Sequence, residues 1–321
     1  MGSISLVKQI SQERIWHDQE TMFVHGAPEG ADALAIARAV KARKGVVVHI
    51  ARDASRAAAT ATALRYFAGD IPVMMFPAWD CLPYDRASPS PDVTATRMSI
   101  LSLLAKWDAD KPLVLIMSIN AVVQRVPPRQ VVCEASFQAK PGASVDSEAL
   151  ITFLVANGYS RASTVREKGD FAVRGGLVDI YPPGAREPLR LDFFGDTLES
   201  IRAFDPETQR TTAQRTSLDL TAASEILLSS ETISRFRHQW ITTFGPAGDD
   251  PIYEAVSSAR KQAGMEHYLP LFYQETSSIF DYLGEALVFT DHLADEALDE
   301  RLKLVADYYQ ARTEKTTSRQ E

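Results

Sequence analysis

Arg190, Asp192 and Phe194 occupy every second position of the run Leu189-Arg190-Leu191-Asp192-Phe193-Phe194. In an extended strand that spacing puts all three on one face, and Leu189, Leu191 and Phe193 on the other. The second set suits a core. In the first set an aromatic and an arginine share a polar face, the composition of a protein-binding hot spot. The same residues also fit a plain structural role, with Phe194 under a neighbouring loop and Arg190 neutralising Asp192 and Glu199. Gly195-Asp196 is a two-residue hairpin turn. It predicts Phe194 opposite Thr197, Asp192 opposite Glu199 and Arg190 opposite Ile201.

Other candidate chemistry is weaker. Phe23-Val24-His25-Gly26-Ala27-Pro28-Glu29-Gly30-Ala31-Asp32 stands where a phosphate-binding loop would stand in a nucleotide-binding sheet. Such a loop needs a lysine for phosphate charge and a hydroxyl for magnesium. Ala31 and Asp32 follow Gly30 instead, and Asp32 and Glu29 would repel phosphate, so the segment reads as a strand-to-helix turn with Asp32 in the first helical turn. Asp295-Glu296-Ala297-Leu298 resembles an acidic metal box only superficially, because it falls within a helical pattern; a solvated helix face fits better. Histidines 17, 25, 49, 238, 267 and 292 lack metal-ligand spacing, and no serine sits in a Gly-x-Ser-x-Gly elbow. Trp79 and Tyr84, in the proline-stiffened run from Phe76 to Pro91, fit either a ligand platform or a cover for the end of a sheet.

These residues need elements to hold them. Up to about Val126, short apolar strands (Met22-Phe23-Val24-His25, Val46-Val47-Val48-His49-Ile50, Val73-Met74-Met75-Phe76, Leu113-Val114-Leu115-Ile116-Met117) alternate with alanine-rich helical stretches at 32–42 and 55–67. That predicts a parallel sheet covered on both faces. Val126-Pro127-Pro128 ends the unit. From 129 to 218 the pattern becomes one helix, at 147–157, and closely spaced antiparallel strands, a small α+β insert. Helices follow at 231–244, with Ile233, Phe236, Trp240 and Phe244 at helical spacing, and at 251–261. Ala286-Leu287-Val288-Phe289-Thr290 is a buried-strand candidate, and 293–309 a long helix before a polar, fraying tail. The expected organisation is α/β in two chain segments, 1–128 and 219–321, with the insert 129–218 between them.

The bulk properties narrow the class. The chain has 321 residues, enough for about two domains. A net charge of -8 argues against a general nucleic-acid binder. Two cysteines, Cys81 and Cys133, build neither a disulfide framework nor a zinc cluster and suit a reduced, cytoplasmic compartment. No apolar run reaches the ~20 residues of a membrane span, and the N-terminus lacks a signal-peptide core.

The run Glu167-Lys168-Gly169-Asp170-Phe171-Ala172-Val173-Arg174-Gly175-Gly176-Leu177-Val178-Asp179-Ile180-Tyr181-Pro182, continuing through Phe194 to Arg210, resembles the module that UvrB proteins share with bacterial transcription-repair coupling factors (Mfd). The stretch Trp79-Asp80-Cys81-Leu82-Pro83-Tyr84-Asp85 through Arg97 is similar to the coupling factors, where this loop is short. UvrB carries a long DNA-clamping hairpin there. Ala121-Val122-Val123-Gln124-Arg125-Val126 and Gly264-Met265-Glu266-His267-Tyr268-Leu269-Pro270-Leu271-Phe272-Tyr273 also resemble the coupling factors.

That resemblance implies a degenerate P-loop sheet of RecA/helicase kind and a noncatalytic module that recruits UvrA. The alternative is a UvrB-type DNA-damage-binding or nucleotide-hydrolysing domain. The family's UvrA contacts fall on Arg174, Arg190 and Phe194: two guanidinium forks and one water-excluding aromatic anchor. Gly175 and Gly176 would permit the turn presenting Arg174, and Asp192 would orient Arg190. The implied cofactors are none for this segment, with ATP and Mg needed only by motor domains that these residues lack. Beyond UvrA, the full-length partners would be RNA polymerase, DNA and an intramolecular C-terminal masking domain. The chain is then expected to be a fragment.

Overall fold

The computed structural model describes Met22 and residues 30–317. The strand expected at 22–25, Met22 apart, and the glycine-bearing turn as far as Glu29 lie outside the described residues. Strands β1 (Val46–Ala51), β2 (Val73–Phe76), β3 (Leu113–Ser118) and β12 (Leu287–Thr290) form a parallel sheet in the order β12-β1-β3-β2. Every residue of β1 and β3 is buried, as continuous apolar strands between helical layers require. One face packs Val47, Val114 and Ile116 against helices Ala31–Ala42 and Ala54–Phe67. The other packs Val48, Leu115 and Met117 with Met98 and Leu101 of the helix Pro91–Ala105.

Strand β12 pairs with β1 from about 240 residues further along the chain, and among the described residues it is an edge strand. Leu287 is 37% exposed and Val288 and Phe289 are half-buried, so the fully buried strand expected there is corrected. An apolar sequence shows that a strand packs on its faces, not that it has neighbours on both sides. The helix after it runs Ala294–Thr317, so the residues expected to fray from 313 onward are helical as far as 317.

The second sheet has the order β10-β9-β8-β7-β6-β5, from β5 (Ser160–Arg161), β6 (Asp170–Arg174), β7 (Leu177–Ile180), β8 (Leu189–Phe194), β9 (Thr197–Phe204) and β10 (Thr211–Arg215). All pairs are antiparallel except β5 with β6. Leu189, Leu191 and Phe193 face a core with Phe171, Val178, Ile180, Leu198 and Ile201, closed by Leu150 and Leu154 of the helix Ser147–Ala156. Asp146 caps that helix, accepting from the amides of Glu148 and Ala149. A two-stranded sheet, β4 (Ser136–Ala139) with β11 (Leu218–Thr221), closes the unit at its neck.

Two boundaries differ from the sequence pattern. Val132 and Ala135, in and just after the helix Arg129–Glu134, pack in the first core; the second core begins at Ala139, later than the change expected at 129. After β11, Ile226, Phe236, Trp240, Met265, Leu269 and Phe272 form their own aromatic-rich cluster instead of joining the first sheet. Of residues 219–317, only β12 enters that sheet.

Candidate protein-docking face

The hairpin turns make the face. Gly175 takes φ 59° at the β6–β7 turn and Gly195 takes φ 59° at the β8–β9 turn, where L side chains are strained. Gly176 serves differently. A Cβ there would lie 2.7 Å from the Phe193 carbonyl oxygen, and the Phe193 amide donates to the Gly176 carbonyl at 2.8 Å. The glycines thus let the tips of the two hairpins touch.

On the outward face Phe194 is 77% exposed, so no loop covers it. It pairs with Thr197 as the turn predicts. Beyond the next pair, Phe193 with Leu198, the expected register fails. Phe193 pairs with Leu198 but Asp192 pairs with Ser200, so Glu199 is a bulge and Arg190 stands opposite Arg202, not Ile201. The bulge changes the partners. Asp192 accepts from Arg202 Nη2 at 2.7 Å, and therefore does not orient Arg190.

The carboxylate that holds Arg190 is Asp179, on β7 directly opposite it. Arg190 donates through Nε to Oδ1 at 2.7 Å and through Nη2 to Oδ2 at 2.9 Å, a bidentate fork. Arg174 donates through Nη2 to the same Oδ2 at 2.7 Å. Asp179 is 1% exposed. The Arg190 guanidinium also lies 4.7 Å over the Phe204 ring, and its side chain is 17% exposed against 50% for Arg174. Arg190 is therefore not the open contact that strand alternation suggested. Arg174 lies in the row Arg174–Leu177–Asp192–Ser200, two residue positions along β8 from the row of Phe194. At the usual strand spacing its Cα is about 10 Å from that of Asp192. The arginines and the aromatic share one face.

Asp179 was hidden in the sequence as one acid in an apolar strand. Its signal was that strand's position between the two that carry Arg174 and Arg190: a charge inside a sheet needs a partner on a neighbouring strand.

The remaining candidates resolve structurally. Trp79 follows β2 and is held by its hydrogen bonds. Its indole N–H donates to Glu225 at 2.8 Å, and Glu225 also accepts from Arg97 Nε at 2.6 Å and Nη2 at 3.2 Å. Tyr84 packs on Tyr309, ring centroids 5.3 Å apart. Asp32 lies in the first turn of its helix, ion-paired to Arg56, which also reaches Asp291 at the end of β12. Asp295 and Glu296 lie exposed in the first turn of the long helix. Among the described residues no group of three His, Cys, Asp or Glu could hold a metal ion, and no helix is long and apolar enough to cross a membrane.

Residues 137–226, which contain the whole face, match the family described as the UvrB interaction domain. The chain carries that domain. Over most of its length it is also similar to transcription-repair-coupling factors: 35% identical over 274 residues to that of Haemophilus influenzae, covering 85% of this chain and 24% of the relative. It is 36% identical over 246 residues to that of Escherichia coli K12 (76% and 21%), and 34% over 249 residues to that of Rickettsia prowazekii (77% and 22%). The chain spans about a quarter of the length of the curated relatives it matches.

Proposed function

We infer that this chain is the UvrA-recruiting, noncatalytic module of a cytoplasmic transcription-repair coupling factor, linking stalled RNA polymerase to nucleotide excision repair. The observation that carries the reading is the face itself: an aromatic ring 77% exposed on the same sheet face as arginines anchored on a buried carboxylate, inside the residues matched to the UvrB interaction domain. Exposed aromatics and arginines are the residue types that dominate binding hot spots. Arg174, Arg190 and Phe194 are the residues on which UvrA binding rests, with Gly175 and Gly176 shaping the turn.

The α/β unit is a degenerate P-loop sheet of RecA/helicase kind. Support comes from the parallel order β12-β1-β3-β2 and from Asp32, an anion tied to Arg56 where a phosphate-binding loop needs hydroxyl and cation. ATP, Mg, DNA and RNA polymerase belong to other domains of the longer protein, and a C-terminal domain there masks this face at rest. Calorimetry tests both halves: UvrA titrated into the chain gives saturable binding, and Mg-ATP gives none. Stoichiometric, Mg-dependent ATP binding overturns the noncatalytic reading, and absence of UvrA binding overturns recruitment.

A further inference from the structure

The two arginines of the face are not equivalent. Arg190 directs three N–H groups inward, two to Asp179 and one to the Gln209 carbonyl at 3.4 Å, and it packs over Phe204. Arg174 spends one N–H on Asp179 and stands half exposed. Of the five donors on a guanidinium, Arg174 keeps most for something outside the chain. Asp179 is the common node: its Oδ2 accepts from both arginines, and it is buried. One carboxylate between two guanidinium groups leaves one positive charge over, and the exposed member displays it.

We propose that Asp179 and Arg190 are positioning residues, a buried pair that holds Arg174 so that its free edge meets a carboxylate of the protein partner beside the Phe194 anchor. This rests on the docking reading of the face and divides its labour. Arg174 and Phe194 touch the partner; Arg190 acts through Asp179. A tethered fork loses less side-chain entropy on binding than a free one, which is how pre-organisation strengthens an interface. Charge-assisted pairing makes an acidic side chain the matching group.

The test measures UvrA affinity for the chain and four variants. Asp179→Asn weakens binding at least 10-fold in the otherwise wild-type chain, and at most 2-fold further when Arg174→Ala is already present. A role in folding alone would not produce that non-additivity. Because Asp179→Asn leaves Arg190 buried without its counter-charge, Asp179→Leu with Arg190→Met serves as the second variant. It replaces the pair by apolar groups, keeps the fold and shows the same 10-fold loss. Binding within 2-fold of wild type by that folded variant overturns the proposal, and so does a loss that persists in full without Arg174. Guanidinium rotation read by NMR in the free chain is an arm that needs no partner. It is slow for Arg174 in the wild type and released in the apolar-pair variant, and free rotation in the wild type overturns the proposal. If the wild type does not bind UvrA, the recruitment reading fails and NMR alone decides the positioning claim.

Discussion

Replacing Arg97 with methionine should be among the most damaging single changes in this chain. Arg97 is 0% exposed and Glu225 2%. The guanidinium makes two hydrogen bonds to Glu225 and one each to the Pro77 carbonyl, at 2.8 Å, and Gln124 Oε1, at 3.1 Å, and it lies 4.4 Å over the Phe76 ring. Arg97→Met keeps much of the packing but leaves Glu225 a buried carboxylate whose remaining side-chain donor is the Trp79 indole. Removing one member of a buried ion pair costs about 3–5 kcal/mol, whereas replacing both by apolar groups is often near neutral. Arg97→Met with Glu225→Met should therefore recover stability, short of the ~1–3 kcal/mol for a Trp79 N–H left without an acceptor. Urea unfolding followed by circular dichroism reads both variants. A loss below about 1 kcal/mol for Arg97→Met, or a double variant no more stable than the single, would refute the claim that an uncompensated charge is the cause.

Phe193→Ala should cost about 3 kcal/mol in urea unfolding, at the low end for a buried aromatic. Phe193 already borders a cavity of about 260 Å³ at the hairpin tips, so fewer contacts are lost. Its neighbour Phe194→Ala should cost less than about 0.5 kcal/mol as a surface change; the reverse order would show that the strand register is wrong. Acid should weaken the first sheet through His49, which burial on β1 holds below its ordinary value of 6.5 despite Asp32 and Asp291 nearby. The folded pKa is the lower one, so this contribution is present above 6.5 and is lost as pH falls from there through the folded value. Glu266 acts in the opposite sense, its carboxyl raised above 4.5 by burial. The diagnostic is therefore a comparison: between pH 7.5 and 5.5 wild type should lose more stability than His49→Leu, and equal losses would exclude His49.

Period-two alternation was enough to assign the faces of β8, because Leu189, Leu191 and Phe193 fill one core. It could not show the bulge at Glu199. A hairpin turn sets the cross-strand pairs next to it, and one extra residue re-pairs everything beyond the bulge. Parallel strands β1 to β3 were legible as continuous apolar runs. The position of β12 at the edge of the described sheet was not, since composition does not reveal how many neighbours a strand has. Arg97 and Glu225 are separated by 128 positions, and nothing local marks either as buried. Asp179 was obscured for a related reason: its meaning depends on which residues the sheet sets opposite it. Charged partners inside a fold are fixed by topology, whereas apolar periodicity is written locally.

The central claim, that UvrA docks on the Phe194 face, is tested most directly by titrating UvrA into wild type, Phe194→Ala and Phe244→Ala. Phe244 is a matched control, an aromatic 57% exposed on the helix Ser230–Phe244, outside the matched domain. Loss of a hot-spot anchor of about 2 kcal/mol weakens binding roughly 30-fold. The account predicts that loss for Phe194→Ala and wild-type affinity for Phe244→Ala, with both variants folded. Wild-type affinity in folded Phe194→Ala would contradict it.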